Sequence, residues 1–287
     1  MSASLRRRSP AQWLLLLVQR IVFYAGLGIG LWLFCIPLYY MVTTSLKAER
    51  EVFAIPIHWI PAQFNPANYP QAFAVATFGR YFLNSAVVAL AVVLITLFFC
   101  TLAGYGLAKY KFPARQLIFL FILSTMMIPF QVIVIPLYVV VYQLGWTNSY
   151  AGLVIPGSVS AFGVFLMRQF ALTLPDELLY AARIDGAGEF TIFWRIAVPM
   201  LRPALATLAL LTFIGSWNDF LWPLLVVTKN ELFTLPVGMT VFSQPLRQPY
   251  WTYIMAVSTV ATLPVVVVFI ALQRYFIEGV VLSGIKG

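Results

Sequence analysis

The stretch PDELLYAARIDGAGEFTIFWRIAVP, from Pro175 to Pro199, is the one polar, charged segment lying between hydrophobic runs. Asp176, Glu177, Arg183, Asp185 and Arg195 stand around Ala181, Ala182 and Gly186. Small side chains let a backbone lie close against another surface, and mixed charges fix its orientation, so the chemistry on offer is recognition of a partner. A second use fits the same residues: Phe193 and Trp194 suit a helix lying flat on a lipid surface. On the residues alone both readings stand. Cys35 and Cys100 sit inside apolar runs, where a lone cysteine behaves as a small hydrophobe, and they suggest neither a disulfide framework nor a metal site. His58, the only histidine, stands beside Trp59 in a loop and reads as a polar loop residue.

The local pattern predicts two short helices over 173–199. Thr173 with Asp176 three residues on looks like a capping box with Pro175 in the first turn. Leu178, Ala181, Ala182 and Asp185 follow helical spacing, and Gly186 suits the end of the helix because glycine takes the left-handed conformation freely. A second piece is expected from Glu189, acidic where the dipole favours it, until Pro199 stops it. Its apolar face is Phe190, Phe193, Trp194 and Ala197.

The elements around this segment are set by composition. The chain has 287 residues, 62% hydrophobic and 9% charged, with a mean hydropathy of +0.91. A soluble domain could not bury that much apolar surface, so the bilayer is the solvent. A crossing helix needs roughly 20 apolar residues. Arg20–Lys47 and Arg80–Lys109 each hold one such run. Arg115–Arg168 is long enough for two, with Gly145-Trp146-Thr147-Asn148-Ser149 as the turn. Pro203–Thr228, interrupted only by Asp219, and Gln248–Gln273 complete an all-α integral membrane chain of six transmembrane helices. Pro37, Pro129, Pro136, Pro156, Pro223 and Pro264 fall inside these runs and are expected to break several of them. Gly26 and Gly30 form a GxxxG pair for close helix packing.

The net charge of +9 is topological. With both termini cytoplasmic, Lys47, Arg50, Arg80, Lys229 and Arg247 fall outside and the rest of the 18 Lys and Arg fall inside, the asymmetry of the positive-inside rule. No nucleic acid partner is expected. Arg6-Arg7-Arg8 before Trp13–Leu17 imitates a signal peptide, but with no small-x-small site the first helix is read as uncleaved. Residues 1–20 are then a cytoplasmic N-terminal segment, and 21–287 one transmembrane domain with its loop at 173–200. The two outer segments, Lys47–Arg80 and Lys229–Trp251, are proline-punctuated and read as extended or turn-rich.

The charged loop resembles the cytoplasmic loop of binding-protein-dependent ABC importer permeases, written EAA, three residues, G, nine residues, I-x-L-P. Ala181-Ala182 is followed by three residues and Gly186, and nine more lead to Ile196 and then Val198-Pro199. Tyr180 stands where the family has its glutamate, which puts that ionic contact in doubt; Glu177, one turn earlier, is the candidate substitute. Thr44-Ser45-Leu46-Lys47, Tyr81–Ser85, Gly104–Ala108, Phe165–Phe170, Gly215–Pro223, Thr234–Gly238 and the tail from Gln273 to Gly287 extend the likeness over nearly the whole chain. They point to the carbohydrate-uptake branch, the shorter maltose-transporter inner-membrane subunit.

The resemblance implies the type I ABC importer permease fold in the cytoplasmic (inner) membrane of a prokaryote. It implies a second permease, two ATPase subunits, an extracytoplasmic solute-binding protein and surrounding membrane lipid as partners. ATP and Mg are expected on the ATPases and no cofactor on this chain, which has no GxxxxGK[ST] phosphate loop and is not itself an enzyme. Glu177, Tyr180, Ala181, Ala182, Asp185, Gly186, Ala187, Ile196 and Pro199 are the expected ATPase-coupling residues. Trp217, Asn218 and Asp219 are expected near the solute path, where aromatic faces and amide or carboxylate groups suit sugar hydroxyls; packing against the second permease is the competing role. Ser243–Arg247 is expected to meet the binding protein. With no Lys or Arg inside an apolar run, a neutral mono- or oligosaccharide is favoured over a polyol phosphate. An ion-coupled secondary transporter would need ionisable groups in its spans, for which Asp219 is the only acidic candidate, and a scaffold subunit would need no path.

Overall fold

The computed structural model describes residues 10–243 and 250–284, with side chains left aside at 10–12, 14–15, 243 and 276–284. Arg6–Arg8, most of Ser243–Arg247 and the last residues of the C-terminal tail therefore lie outside the described residues. All regular structure among them is helical. Three helices are long and apolar enough to cross a membrane, and up to six spans result if each of three bent helix pairs counts as one. The polypeptide divides into two compact units, residues 1–72 with 249–259, and 73–248 with 260–287.

In the first unit, helix α1 (Pro10–Ser45) runs unbroken through Pro37 and ends in a polar cluster. Its final carbonyls need partners. Asn68, at the start of α2 (Asn68–Val75), supplies them: its amide donates to the Ser45 carbonyl at 2.8 Å and the Lys47 carbonyl at 2.7 Å. Glu51 accepts the Ala62 N–H at 2.7 Å and meets His58 Nδ1 at 3.2 Å. That backbone donor holds the Glu51 carboxyl below its usual range. Glu49 accepts the N–H groups of Trp251 and Thr252, capping the start of α14 (Trp251–Gly284).

The second unit is organised on α3 (Phe78–Lys109), a proline-free helix of 32 residues. The expected fold-back after Arg115 is present as α4 (Arg115–Thr125) and α5 (Phe130–Gln143), bent by 98° at Met126–Pro129. The turn falls at Gly145–Ser149. Gly145 and Asn148 there have positive φ, and Asn148 Oδ1 accepts the N–H groups of Thr228 and Lys229. The chain returns through α6 (Tyr150–Val154) and a 3-10 turn over Ile155–Gly157 into α7 (Ala161–Leu172), a 46° bend that Ser160 caps by accepting the Gly163 N–H.

Next come α8 (Asp176–Ile184) and α9 (Glu189–Ile192). A π-helical turn over Phe193–Ala197 leads into α10 (Val198–Met200). A 76° bend separates this rod from α11 (Arg202–Trp217). The short helices α12 (Leu221–Val226) and α13 (Leu235–Gly238) precede α14.

Three expectations are corrected. Pro37, Pro136 and Pro264 do not break α1, α5 or α14; in a membrane helix the freed carbonyl is satisfied locally, whereas Pro129 stands at the 98° break and Pro156 in the 3-10 turn of the 46° bend. Pro199 does not end its helix but sits in the first turn of α10, where its missing N–H costs little. Thr173 does not cap α8. Its hydroxyl donates back to the Phe170 carbonyl at 2.8 Å at the end of α7, and Pro175 holds the N-cap position of α8.

The helices meet through small residues. A Cβ on Gly104 would lie 2.7 Å from the Arg168 backbone nitrogen, so α3 and α7 approach as closely as only glycine permits. Around that contact Cys100, Tyr105, Met167 and Ala171 form one core with Leu179, Ile192 and Phe193 of the charged loop. The loop is thus built into the core of its unit.

Candidate functional site

Helix α8 ends in a complete Schellman motif. Gly186 N–H donates to the Arg183 carbonyl at 3.1 Å and Ala187 N–H to the Ala182 carbonyl at 2.9 Å, with Gly186 at φ +83°. Two orphan carbonyls are satisfied this way, and the left-handed conformation disfavours a Cβ although the space beside it is open.

A clasp closes across that turn. Arg183 donates Nε to Glu189 Oε1 at 2.6 Å and Nη2 to Oε2 at 3.0 Å, a fork-to-fork pair. Tyr110 OH adds a third bond to Oε2 at 2.6 Å. The Arg183 guanidinium beside it, with Tyr110, lowers the Glu189 carboxyl to about 2. Tyr110 is pushed up to about 12 by burial and by donating to that carboxylate. At the other end of α8, Lys109 Nζ donates to the Leu174 carbonyl at 2.6 Å and to Asp176 Oδ1 at 2.7 Å. The Lys109 side chain is 6% exposed, so this ammonium is largely desolvated and held by its partners.

Of the nine loop residues expected from sequence, Glu177, Tyr180, Ala181, Asp185 and Gly186 lie open on one surface, while Ala182, Ala187, Ile196 and Pro199 are half-buried. The Arg183 guanidinium lies 5.5 Å from the centre of the Tyr180 ring. Leu179 is the buried anchor of α8 at 2% exposure, whereas Ile184 is 87% exposed. Tyr180 and Ile184, one helical turn apart, form an exposed apolar edge of α8 beside the strip of Glu177, Ala181 and Asp185. Arg183 is committed to Glu189, and Glu177, Asp185 and Arg195 are the exposed charges of the loop outside these pairs. Lys109 and Tyr110, which hold the two loop helices at Asp176 and Glu189, were not singled out by sequence reasoning. Their partners lie 67 and 79 residues away, beyond any local pattern.

The three expected path residues separate. Trp217 is 3% exposed, packs on Phe82 and Phe213, and donates Nε1 to the Ala261 carbonyl at 3.1 Å. Asn218 is exposed and caps its own helix through Ile214. Asp219 alone lines a cavity of about 320 Å³, with Thr96, Ser160, Thr212, Ser216 and Trp222. Apolar walls come from Val88, Val92, Phe130 and Leu137. No Lys, Arg or His is among its lining residues. Arg168, although inside α7, is turned to the Leu107 carbonyl and the Phe119 ring. The hydroxyl residues of the cavity come from three separate helical elements, so no sequence spacing announces them.

Residues 100–281 match the family described as binding-protein-dependent transport system inner membrane component. The chain belongs to that family. Within it, the permease is 38% identical over 258 residues to the arabinooligosaccharides transport system permease protein AraQ of Bacillus subtilis, covering 89% of this chain and 92% of the relative. It is 35% identical over 260 residues to the sn-glycerol-3-phosphate transport system permease protein UgpE of Yersinia enterocolitica, covering 88% and 92%. The crystal structure of a bacterial ABC transporter involved in the import of the acidic polysaccharide alginate contains a chain that superposes with a TM-score of 0.79 at 24% identity, over 94% of this chain and 99% of that one. The fold is therefore that of an ABC importer permease, an integral membrane protein of a transport family rather than an enzyme family.

Proposed function

We propose that this chain is the permease subunit through which an ATP-driven importer moves a neutral sugar across the cytoplasmic membrane. It works beside a second permease, above two ATPases that carry the ATP and Mg, and receives solute from an extracytoplasmic binding protein. Six spans with both termini inside put the loop 173–200 on the ATPase side, consistent with the distribution of Lys and Arg. Residues 1–20 precede that transmembrane domain as a cytoplasmic segment.

The observation that carries this reading is the loop itself. Two helices are locked by a Schellman turn and an ionic clasp, yet α8 turns Glu177, Tyr180, Ala181 and Ile184 outward, with Ile184 uncovered among the described residues. A rigid helix face on which Glu177 and Asp185 lie among apolar side chains suits insertion into a protein cleft. Tyr180 takes the place of the family's glutamate as a ring that can stack rather than an acid that can pair.

The solute class is argued from the cavity. Hydroxyls and one carboxylate can bind a polyol, and the Trp222 ring suits a sugar face. A dianionic phosphate would meet Asp219 with no cation to offset it. The kinship to arabinooligosaccharide permeases thus fits better than that to glycerol-3-phosphate permeases. The test is competition for uptake in proteoliposomes holding the complete transporter. Neutral arabino-oligosaccharides are expected to compete for uptake and sn-glycerol-3-phosphate to have no effect; the reverse ranking overturns the assignment.

A further inference from the structure

By sequence the loop hangs between α7 and α11, and both connections interrupt the helices. Residues 173–175 are irregular, and the chain bends by 76° at Leu201. The side-chain ties run elsewhere. Asp176 opens α8 and is held by Lys109; Glu189 opens α9 and is held by Tyr110. Two consecutive residues at the end of α3 thus fasten the start of each loop helix. The Lys109 bond to the Leu174 carbonyl adds a contact to the segment leading into α8.

Helix α3 differs from its neighbours. It runs 32 residues without proline or bend, about 48 Å at 1.5 Å per residue, while the α4–α5, α6–α7 and α10–α11 paths all bend sharply. Midway it supplies Val88, Val92 and Thr96 to the cavity wall, and Thr96 Oγ1 donates to the Ser158 carbonyl at 2.7 Å. At its far end Asn84 Nδ2 donates to the Glu231 and Phe233 carbonyls, both at 2.9 Å, and Ser85 Oγ accepts the Leu235 N–H at 2.8 Å. A displacement of the loop can be absorbed at the bends of its flanking helices. It cannot be absorbed along α3, which is stiff and pinned at both ends.

We propose that α3 is the rod that carries the ATPase stroke to the solute cavity and on to the segment 230–235, with Lys109 and Tyr110 as the positioning residues that fasten it to the loop. This rests on the reading of 173–200 as the ATPase-facing loop. The stroke enters sideways into α3 rather than along the chain into α7 or α11.

The test uses the whole transporter, this chain with its second permease and ATPases, in a background where Cys35 and Cys100 are replaced by serine. Val92→Cys reports cavity opening through its rate of maleimide labelling with and without ATP and vanadate. In the parent complex the rate is expected to change with nucleotide. In the Lys109→Met/Tyr110→Phe variant the change should shrink by roughly ten-fold, the scale of losing charge-assisted hydrogen bonds. The ATPases should still co-purify and hydrolyse ATP. Lys109→Arg, which keeps the charge and its donors, should restore most of the change when Tyr110 is intact. Asp176→Asn, exposed and mild, should give an intermediate loss. Retention of the full nucleotide response in the double variant overturns the proposal. So does loss of ATPase co-purification there, because the ties would then serve docking alone. A parent complex that fails to hold the ATPases removes the docking reading instead, and the rod with it.

Discussion

At Gly186 the conformation, not the space, sets the constraint: the left-handed φ disfavours any side chain by about 1–2 kcal/mol, although a Cβ would meet nothing within 4 Å. Gly186→Leu is therefore expected to insert normally and to lose most uptake, because the Schellman turn aims the exposed face of α8. Normal uptake in that variant contradicts the docking model. Tyr180→Glu asks whether the position still accepts the family's acid. Its ring already lies near Arg183, whose guanidinium Glu189 occupies, so a new carboxylate stays available to a partner. ATPase co-purification should be equal or tighter; weaker recovery means the contact has been rebuilt around tyrosine. The form of the loop was legible from the helical spacing of Leu178, Ala181 and Ala182 and from Gly186 at its end. The orientation of Thr173 was not, since the same hydroxyl can bond forward as an N-cap or back to a carbonyl, and here it bonds back.

For the helices as elements, the clasp between α8 and α9 has a defined pH range. Glu189, whose folded value is about 2, contributes stability that is fully present above its unfolded value near 4.3 and is lost as pH falls through about 2. Tyr110, raised to about 12, contributes below its unfolded value near 10 and loses that contribution as pH rises through about 12. Uptake per ATP should therefore be flat from about pH 5 to 9, and an inflection near neutrality in that ratio would contradict the clasp. Glu189→Gln removes the charge and should lower the ratio across the whole range. Charge-free runs made the fold-back after Arg115 and the turn at Gly145–Ser149 readable in advance. Which prolines bend the path was not, because proline alone says only that one carbonyl is freed. Pro129 coincides with a 98° bend while Pro37, Pro136 and Pro264 stay within continuous helices.

Taken as a whole molecule, the chain combines an apolar-walled cavity with one acid and several hydroxyls, and a folded loop that exposes Tyr180 and Ile184 beside two acids. Asp219→Asn should reduce neutral-sugar uptake while leaving ATPase association intact, and an unchanged rate would remove Asp219 from the path. The cavity itself could not be foreseen, since α3, Ser160 and α11 converge only in three dimensions. The decisive measurement is uptake into proteoliposomes containing the complete transporter, with ATP supplied to the loop side and the proton gradient collapsed. Uptake that requires ATP and ignores the gradient is the predicted result. Uptake that proceeds without ATP and follows a proton gradient contradicts the account.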